Sequence, residues 1–116
     1  MAGNIQTLLA RIVGAVLTVV GLVGFFSGDA LLMFGLNPLH NVVHLVSGVV
    51  GLWAGFTGGC AVHYNKWFGV IYILVAVLGF VVPDLMVSLL NINAADNLLH
   101  LLLGVVLAGV GFGAKS

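Results

Sequence analysis

The sequence predicts an all-α integral membrane protein with four transmembrane helices, arranged as two related helical hairpins. Charged residues make up 5% of the 116 residues and hydrophobic residues 62%, against about 25% and about 45–50% in soluble domains. Four continuous apolar stretches are each long enough to cross a bilayer as a helix. The second half of the chain also repeats the polar pattern of the first. Together these observations predict a single membrane-embedded domain.

The composition excludes two other classes of protein. The formal net charge of zero leaves no basic face for phosphates, so no nucleic-acid partner is expected. Cys60 is the single cysteine of the chain, which excludes a scaffold held by intramolecular disulfides. The expected partner is therefore the lipid bilayer.

The four predicted spans are helices, because lipid cannot satisfy the hydrogen bonds of any other open backbone structure. They run from about Leu8 to Phe26, Pro38 to Cys60, Trp67 to Val82 and Ala94 to Phe112. The connections Ser27–Leu36 and Pro83–Ile92 open with turn-forming residues and then become apolar. We expect each connection to be a short interfacial helix or an extension of the preceding span.

An internal repeat relates residues of about 8–60 to residues of about 66–112. The polar matches carry it, because apolar bias does not explain them. At an offset of 55 or 56 they are Arg11 with Lys66, Asp29 with Asp84, Asn37 with Asn93, Asn41 with Asn97 and His44 with His100. Each half is then one hairpin, and the two hairpins are related by a pseudo-two-fold axis along the membrane normal.

The charges predict the orientation of the chain. The basic residues fall on one side of the predicted membrane and the acidic residues on the other, namely Arg11, Lys66 and Lys115 against Asp29, Asp84 and Asp96. Because Lys and Arg concentrate in cytoplasmic segments, both termini are predicted to lie in the cytoplasm.

Small residues recur at helical spacing and predict close helix packing. A step of seven residues keeps them on one face of each span, where glycines let helix backbones approach. The positions concerned are Gly14, Gly21, Gly48, Gly51, Gly55, Gly69, Gly104 and Gly111. An alternative interpretation is that these glycines clear space for a flat ligand or for a second copy of the chain.

Polar residues share this face in the second and fourth spans. His44 and His100 are the principal candidates for binding a cofactor, with Asn41, Asn97, Gly48 and Gly104 in support. His40 lies one turn before His44, and Asp96 lies one turn before His100. Both inner histidines are six residues inside their spans, which is about 9 Å along a helix. Ionisable groups at such depth face the interior of a bundle.

Four interpretations of this polar cluster stay open. It is a structural hydrogen-bond network between helices. It ligates a haem or another tetrapyrrole through His44 and His100, held non-covalently since the chain has no CxxCH motif. It binds a divalent metal through His40, His44, Asp96 and His100. It lines a small-solute or proton pathway.

The leading functional hypothesis is a non-enzymatic structural or accessory protein, because no catalytic motif is present. Nearly the whole chain lies in the predicted spans, so only the embedded surface is large enough for recognition. We therefore expect a homo-oligomer or packing against a larger membrane complex through the glycine faces. The electron-transfer or metal-binding module and the solute pathway are the alternatives.

Two motifs resemble a known family. The stretch Gly35-Leu-Asn-Pro-Leu-His-Asn-Val-Val-His44, followed by Gly48, resembles the bacterial membrane proteins of the domain of unknown function 4383 family. So does Ala94-Ala-Asp-Asn-Leu-Leu-His100, followed by Gly104. The resemblance covers most of the chain and implies a four-span protein of the bacterial cytoplasmic membrane. It implies no established activity.

Overall fold

Four long helices dominate the computed structural model, which describes residues 2–114. In chain order the elements are α1 (Ala2–Gly24), β1 (Ala30–Leu31), β2 (Phe34–Gly35), α2 (Pro38–Thr57), α3 (Ala61–Val81), α4 (Pro83–Leu90) and α5 (Ala94–Gly113). Helices α1, α2, α3 and α5 are long and apolar enough to cross a membrane. The predicted all-α fold with four spans is confirmed, and the chain is a multi-pass membrane protein. Lys115, one of the basic residues used to predict the orientation, lies outside the described residues.

The spans α1 and α3 begin six residues earlier than the hydropathy predicts, at Ala2 and Ala61. In α3 the early turns carry polar residues that lower the hydropathy, yet Tyr64 and Asn65 are 4% and 0% exposed. They point into the bundle, so the helix continues through them. Helix α2 ends at Thr57, before the predicted end at Cys60. The next residue, Gly58, has a φ of 80°, a conformation that favours glycine directly after a helix.

The first connection differs from its prediction. Residues 27–36 were expected to form a short helix or to extend the first span, and instead β1 and β2 pair as a small antiparallel hairpin. The turn between them places Leu32 at a φ of 55°. The hairpin is held in place because the Gly35 N–H donates to Asp96 Oδ2 at 3.0 Å, a bond that a helical Gly35 would not offer. The second connection does form a helix, α4.

Each long helix packs against one antiparallel neighbour, α1 against α2 and α3 against α5. In both pairs, contacts between glycines allow the two helix backbones to approach closely. A Cβ on Gly48 would lie 2.8 Å from the Gly14 carbonyl oxygen, and a Cβ on Gly104 would lie 2.8 Å from the Gly69 carbonyl oxygen. A side chain larger than hydrogen at these positions would separate the backbones.

All eight glycines predicted at packing faces lie against another part of the chain. At each of them an added Cβ would come within 2.7 Å of a neighbouring atom. These faces are therefore filled by contacts inside the bundle. They are not available for a second copy or for a flat ligand without movement of the helices.

The two helical pairs are joined at both ends of the bundle. At the end that holds the start of α1, here called the terminal end, Gln6 Nε2 donates to the Val110 carbonyl at 2.8 Å. Asn65 Nδ2 donates to Gln6 Oε1 at 2.8 Å. At the opposite end, here called the connection end, Asn37 Nδ2 donates to the Leu89 carbonyl at 2.9 Å.

A reciprocal bond at the connection end runs from Asn93 Nδ2 to the Met33 carbonyl at 2.9 Å. Asn37 and Asn93 are 56 positions apart, as are Met33 and Leu89. Cationic side chains also take matching places, with Arg11 over the Phe56 ring at 4.7 Å and Lys66 over Phe112 at 5.3 Å. The sequence repeat itself stays a prediction, and these are the contacts by which the two hairpins resemble each other.

Candidate functional site

Three histidines meet at the connection end of the bundle. The ring centroids of His40 and His44 are 4.3 Å apart, those of His40 and His100 are 5.4 Å apart, and those of His44 and His100 are 6.0 Å apart. One ring nitrogen from each lies within 4.8 Å of the other two. The residues are 1%, 6% and 3% exposed. We call this group the three-histidine cluster.

The starts of α2 and α5 position the cluster. Asn37 caps α2, its Oδ1 accepting the His40 backbone N–H at 2.8 Å, and proline follows at the first helical position. His40 and His44 are then one turn apart on the inner face of α2. In α5 the same geometry, with Asn93 as the cap, brings His100 to the inner face opposite them.

Each ring of the cluster keeps one nitrogen without a partner. His40 Nδ1 lies 3.0 Å from the Leu90 carbonyl oxygen, so this nitrogen carries the proton and donates. His40 Nε2, His44 Nδ1 and His100 Nδ1 are buried, and no hydrogen-bond partner is found for them within residues 2–114. A buried polar atom without a partner costs free energy. Each of the three rings therefore has one buried nitrogen whose hydrogen-bonding capacity the described residues leave unused.

Asp96 lies beside the cluster but has a different task. Its Oδ2 accepts the Asn93 backbone N–H at 2.9 Å and the Gly35 N–H, while its own N–H bonds Asn93 Oδ1. This is a capping box that also anchors the β-hairpin. The converging group of ring nitrogens contains only the three histidines among the described residues, and Asp96 is not part of it.

Asn41 and Asn97 face the helix interfaces and not the cluster. Each amide oxygen is buried without a conventional donor in the described part of the chain. The Asn41 oxygen lies where a Cβ of Gly24 would project, and the Asn97 oxygen lies where a Cβ of Gly79 would project. A glycine Cα–H therefore points at each oxygen, as weak Cα–H···O bonds between helices do. Gly24 and Gly79 were absent from the predicted packing glycines.

Gly48 and Gly104, predicted as supporting residues of a cofactor site, are also taken up by helix packing. A Cβ on Gly48 would collide with Thr18, and a Cβ on Gly104 would lie 2.6 Å from the Ile73 backbone nitrogen. The space one turn beyond each inner histidine is thus occupied by α1 and α3.

Two tyrosines and a serine lie next to the cluster, and the sequence did not predict them as part of a site. The Tyr72 ring is 5.6 Å from that of His100, and its hydroxyl donates to Ser47 Oγ at 3.0 Å. The Tyr64 hydroxyl donates to the Ser47 carbonyl at 2.8 Å. A signal for Tyr72 was present, since it lies between Gly69 and Ala76 at steps of three and four residues, on the packing face of α3.

Two cavities reach the cluster from the side. One, of about 270 Å³, runs between α1 and α5 and is bordered by His44 and His100. The other, of about 140 Å³, lies below the β-hairpin and shares both histidines with the first. The cluster is consequently buried in the bundle and also borders open space.

Fold and cluster together define a small multi-pass helical membrane protein with a buried polar centre. Residues 7–113 match the family described as Domain of unknown function (DUF4383), and the chain belongs to this family. The resemblance drawn from the two histidine-bearing motifs is thereby confirmed. Neither a curated protein nor a solved structure matches the chain.

Proposed function

We propose that this protein binds one divalent transition-metal ion through His40, His44 and His100 inside the membrane. The observation that carries the proposal is the convergence of three buried ring nitrogens within 4.8 Å. Neutral imidazole is a preferred ligand of zinc, copper, nickel and iron. Each of the three rings also has a buried nitrogen without a partner among the described residues, and an ion bound at such a nitrogen would give it one.

The dimensions of the cluster suit an ion. With bonds of about 2.0–2.1 Å to a tetrahedral zinc, ligand nitrogens are about 3.4 Å from one another. The rings would have to close by no more than about 1.5 Å, which small side-chain rotations provide. The bond from His40 Nδ1 to the Leu90 carbonyl is the outer-shell contact that commonly orients a metal-binding histidine.

A bare ion is favoured over a haem or another tetrapyrrole. Two axial histidines must leave a plane between them for the macrocycle. Here the His40 ring lies 4.3 Å from His44 and 5.4 Å from His100, and so occupies that region. The packed glycines Gly48 and Gly104 leave no room for a macrocycle one turn beyond the inner histidines.

We propose binding without catalysis. The sequence contains no glutamate to act as a general base next to the ion, and one oxygen of the Asp96 carboxylate, Oδ2, accepts two backbone N–H groups.

The test is metal stoichiometry and affinity of the purified protein in lipid nanodiscs, measured for Zn²⁺ and Co²⁺ by mass spectrometry and by competition with chelators. We expect one ion per chain, and a loss of affinity of about 100-fold or more in His44→Ala and His100→Ala, since outer-shell changes alone cost about 10–100-fold. The matched control is His63→Ala, because His63 is exposed. Equal effects of His63→Ala and His44→Ala, or no bound ion in the wild type, would contradict the proposal.

A structural or accessory role in the membrane is the second proposal, and a metal ion could serve it by locking the two hairpins together. It is supported by the small share of the chain outside the four spans. Because the glycine faces are filled internally, any partner or second copy would contact exposed side chains such as Trp53 and Phe56, 56% and 69% exposed. The mass of the protein in native nanodiscs tests this, and a monomer without co-purifying protein would count against it.

We also propose that both termini lie on the cytoplasmic side of the bacterial inner membrane. The support is the separation of charges, with Arg11 and Lys66 toward the terminal end and Asp29 and Asp84 at the connection end. Cysteine labelling from either side, on a Cys60→Ala background with Ser27→Cys or Thr57→Cys, tests it. Labelling of Thr57→Cys from outside would contradict the proposal and show that the chain has the opposite orientation.

A further inference from the structure

A crevice on the side of the bundle leads to the three-histidine cluster. It has a volume of about 270 Å³. Its walls are Ile12, Val16 and Val20 on α1 and Leu99 and Leu103 on α5. Ile12, Val16 and Leu99 are 52%, 55% and 43% exposed. The crevice therefore opens on the outer surface of the bundle, where these spans face the lipid.

The shape of the crevice suits one aliphatic chain. From Ile12 to Val20 it extends eight residues along α1, which is about 12 Å. Divided by that length, the volume gives a mean cross-section similar to that of one extended hydrocarbon chain. Its walls are aliphatic, since every wall residue other than the two histidines is Ile, Val or Leu. Apolar walls with a few polar groups at one end are typical of sites for amphiphilic ligands.

The polar end of the crevice is the cluster itself. His44 and His100 border both this crevice and the smaller cavity of about 140 Å³ beneath the β-hairpin. Val20 and Leu99 border both cavities as well, so the two spaces adjoin at the histidines. The head group of an amphiphile lying in the crevice would be beside the proposed ion.

The ion would have one coordination position open. Three histidines leave a fourth position of a tetrahedral metal free. Asp96 borders the smaller cavity together with His44 and His100, but it is not among the described residues whose ligand atoms converge, and its Oδ2 accepts two backbone N–H groups. An oxygen anion that arrives from the lipid could take the open position.

Resting on the proposed metal site, we infer that the protein binds a single-chain fatty acid from the membrane. Its carboxylate coordinates the ion held by His40, His44 and His100, and its hydrocarbon tail lies in the crevice between α1 and α5. The ligand class follows from the two ends of the space, a metal-coordinating head and an apolar channel one chain wide.

The experiment uses the full chain in phosphatidylcholine nanodiscs, loaded with Co²⁺, with dodecanoate as the probe and dodecanol as its chain-matched control. We expect dodecanoate to change the visible absorption of Co²⁺ and to saturate at one molecule per chain, while dodecanol leaves the spectrum unchanged. Val16→Trp fills the mouth of the crevice and should weaken dodecanoate binding about tenfold or more, because the tail loses its apolar contacts. It should leave Co²⁺ affinity unchanged.

The matched variant is Val46→Trp, because Val46 on α2 is 53% exposed and does not border the crevice. It should bind both Co²⁺ and dodecanoate like the wild type. It therefore controls for the effect on binding of adding a tryptophan to the lipid-facing surface. If Co²⁺ binds and dodecanoate does not, or if dodecanol competes equally, the fatty-acid site is overturned and the metal site stands. If Co²⁺ itself fails to bind, both proposals are overturned. Unchanged dodecanoate affinity in Val16→Trp would remove the crevice as its location.

Discussion

His40 and Asp96 occupy the same place in two equivalent helix starts and do different work there. Each is the third residue after an asparagine cap and gives its backbone N–H to that cap, at 2.8 Å from Asn37 Oδ1 and 2.9 Å from Asn93 Oδ1. The Asp96 side chain then turns back to close the cap and hold Gly35. The His40 ring instead turns inward beside His44. One half of the bundle thus supplies two histidines to the cluster, and the other half supplies one.

Asp96→Ala should destabilise the protein while sparing the metal site. Removing a helix cap costs about 0.5–2 kcal/mol, and the buried Gly35 N–H loses its acceptor at the same time. We expect a free energy of unfolding lower by about 2 kcal/mol and Zn²⁺ affinity within about threefold of the wild type. Unfolding in nanodiscs or mild detergent and Zn²⁺ titration check the two expectations.

The comparison variant for that change is Asp84→Ala, which removes an exposed carboxylate from the first turn of α4. Asp84→Ala should lower the free energy of unfolding by about 0.5 kcal/mol, as is usual for the loss of an acidic residue near a helix start. A loss of Zn²⁺ binding in Asp96→Ala comparable to that in His44→Ala would make Asp96 a ligand and would contradict a site of three histidines.

Gly24→Ala and Gly79→Ala should each destabilise the bundle. The new methyl group would collide with the amide oxygen of Asn41 or Asn97, and such overpacking costs about 1–3 kcal/mol. Thermal unfolding in the same detergent measures the change. Gly109→Ala is the matched control in α5, because a methyl group added there would have no described atom within 4 Å. Equal stability of all three variants would show that the glycine contacts are not close.

Much of this architecture follows from sequence patterns. Apolar length predicts the four spans, and glycine spacing predicts the inner faces. The repeat matches Asn37 with Asn93, and both cap a helix by bonding the third backbone N–H after them. Periodicity works here because a helix face is a local property of the chain.

What the sequence did not predict depends on contacts between distant segments. The β-hairpin is anchored by Asp96, which accepts the N–H of Gly35, 61 residues earlier. Spacing alone also does not reveal that one oxygen of Asp96, which the sequence groups with the histidines, accepts two backbone N–H groups. The inward turn of Tyr64 likewise depends on the Ser47 carbonyl, which no local pattern indicates.

Asn37→Asp and Asn93→Asp distinguish two contributions of each asparagine to stability. One is the helix cap, and the other is the hydrogen bond to the opposite hairpin. Aspartate keeps the oxygen that caps each helix but loses the Nδ2 donor that reaches the Leu89 or Met33 carbonyl. We expect each variant to lose about 0.6–2 kcal/mol, the usual worth of a hydrogen bond between membrane helices. A double-mutant cycle with Asn→Ala changes resolves the two contributions. No difference between Asn→Asp and wild type would show that the cross-links contribute nothing.

Zn²⁺ should stabilise the folded protein through the three-histidine cluster. A ligand at about 100 times its dissociation constant adds about 2.7 kcal/mol when it binds the native state alone. Removing the ion with a chelator should lower the unfolding temperature of the wild type and of His63→Ala. It should leave that of His40→Ala nearly unchanged. A chelator effect that persists in His40→Ala would locate the ion elsewhere.

The most direct test of the metal centre is X-ray absorption at the zinc edge of the loaded protein in nanodiscs. We expect three imidazole nitrogens at about 2.0–2.1 Å from zinc, together with one oxygen ligand, and a loss of imidazole scattering in His100→Ala. A first shell containing sulfur at about 2.3 Å, which Cys60 would supply, or a shell with fewer than three imidazoles, would contradict it.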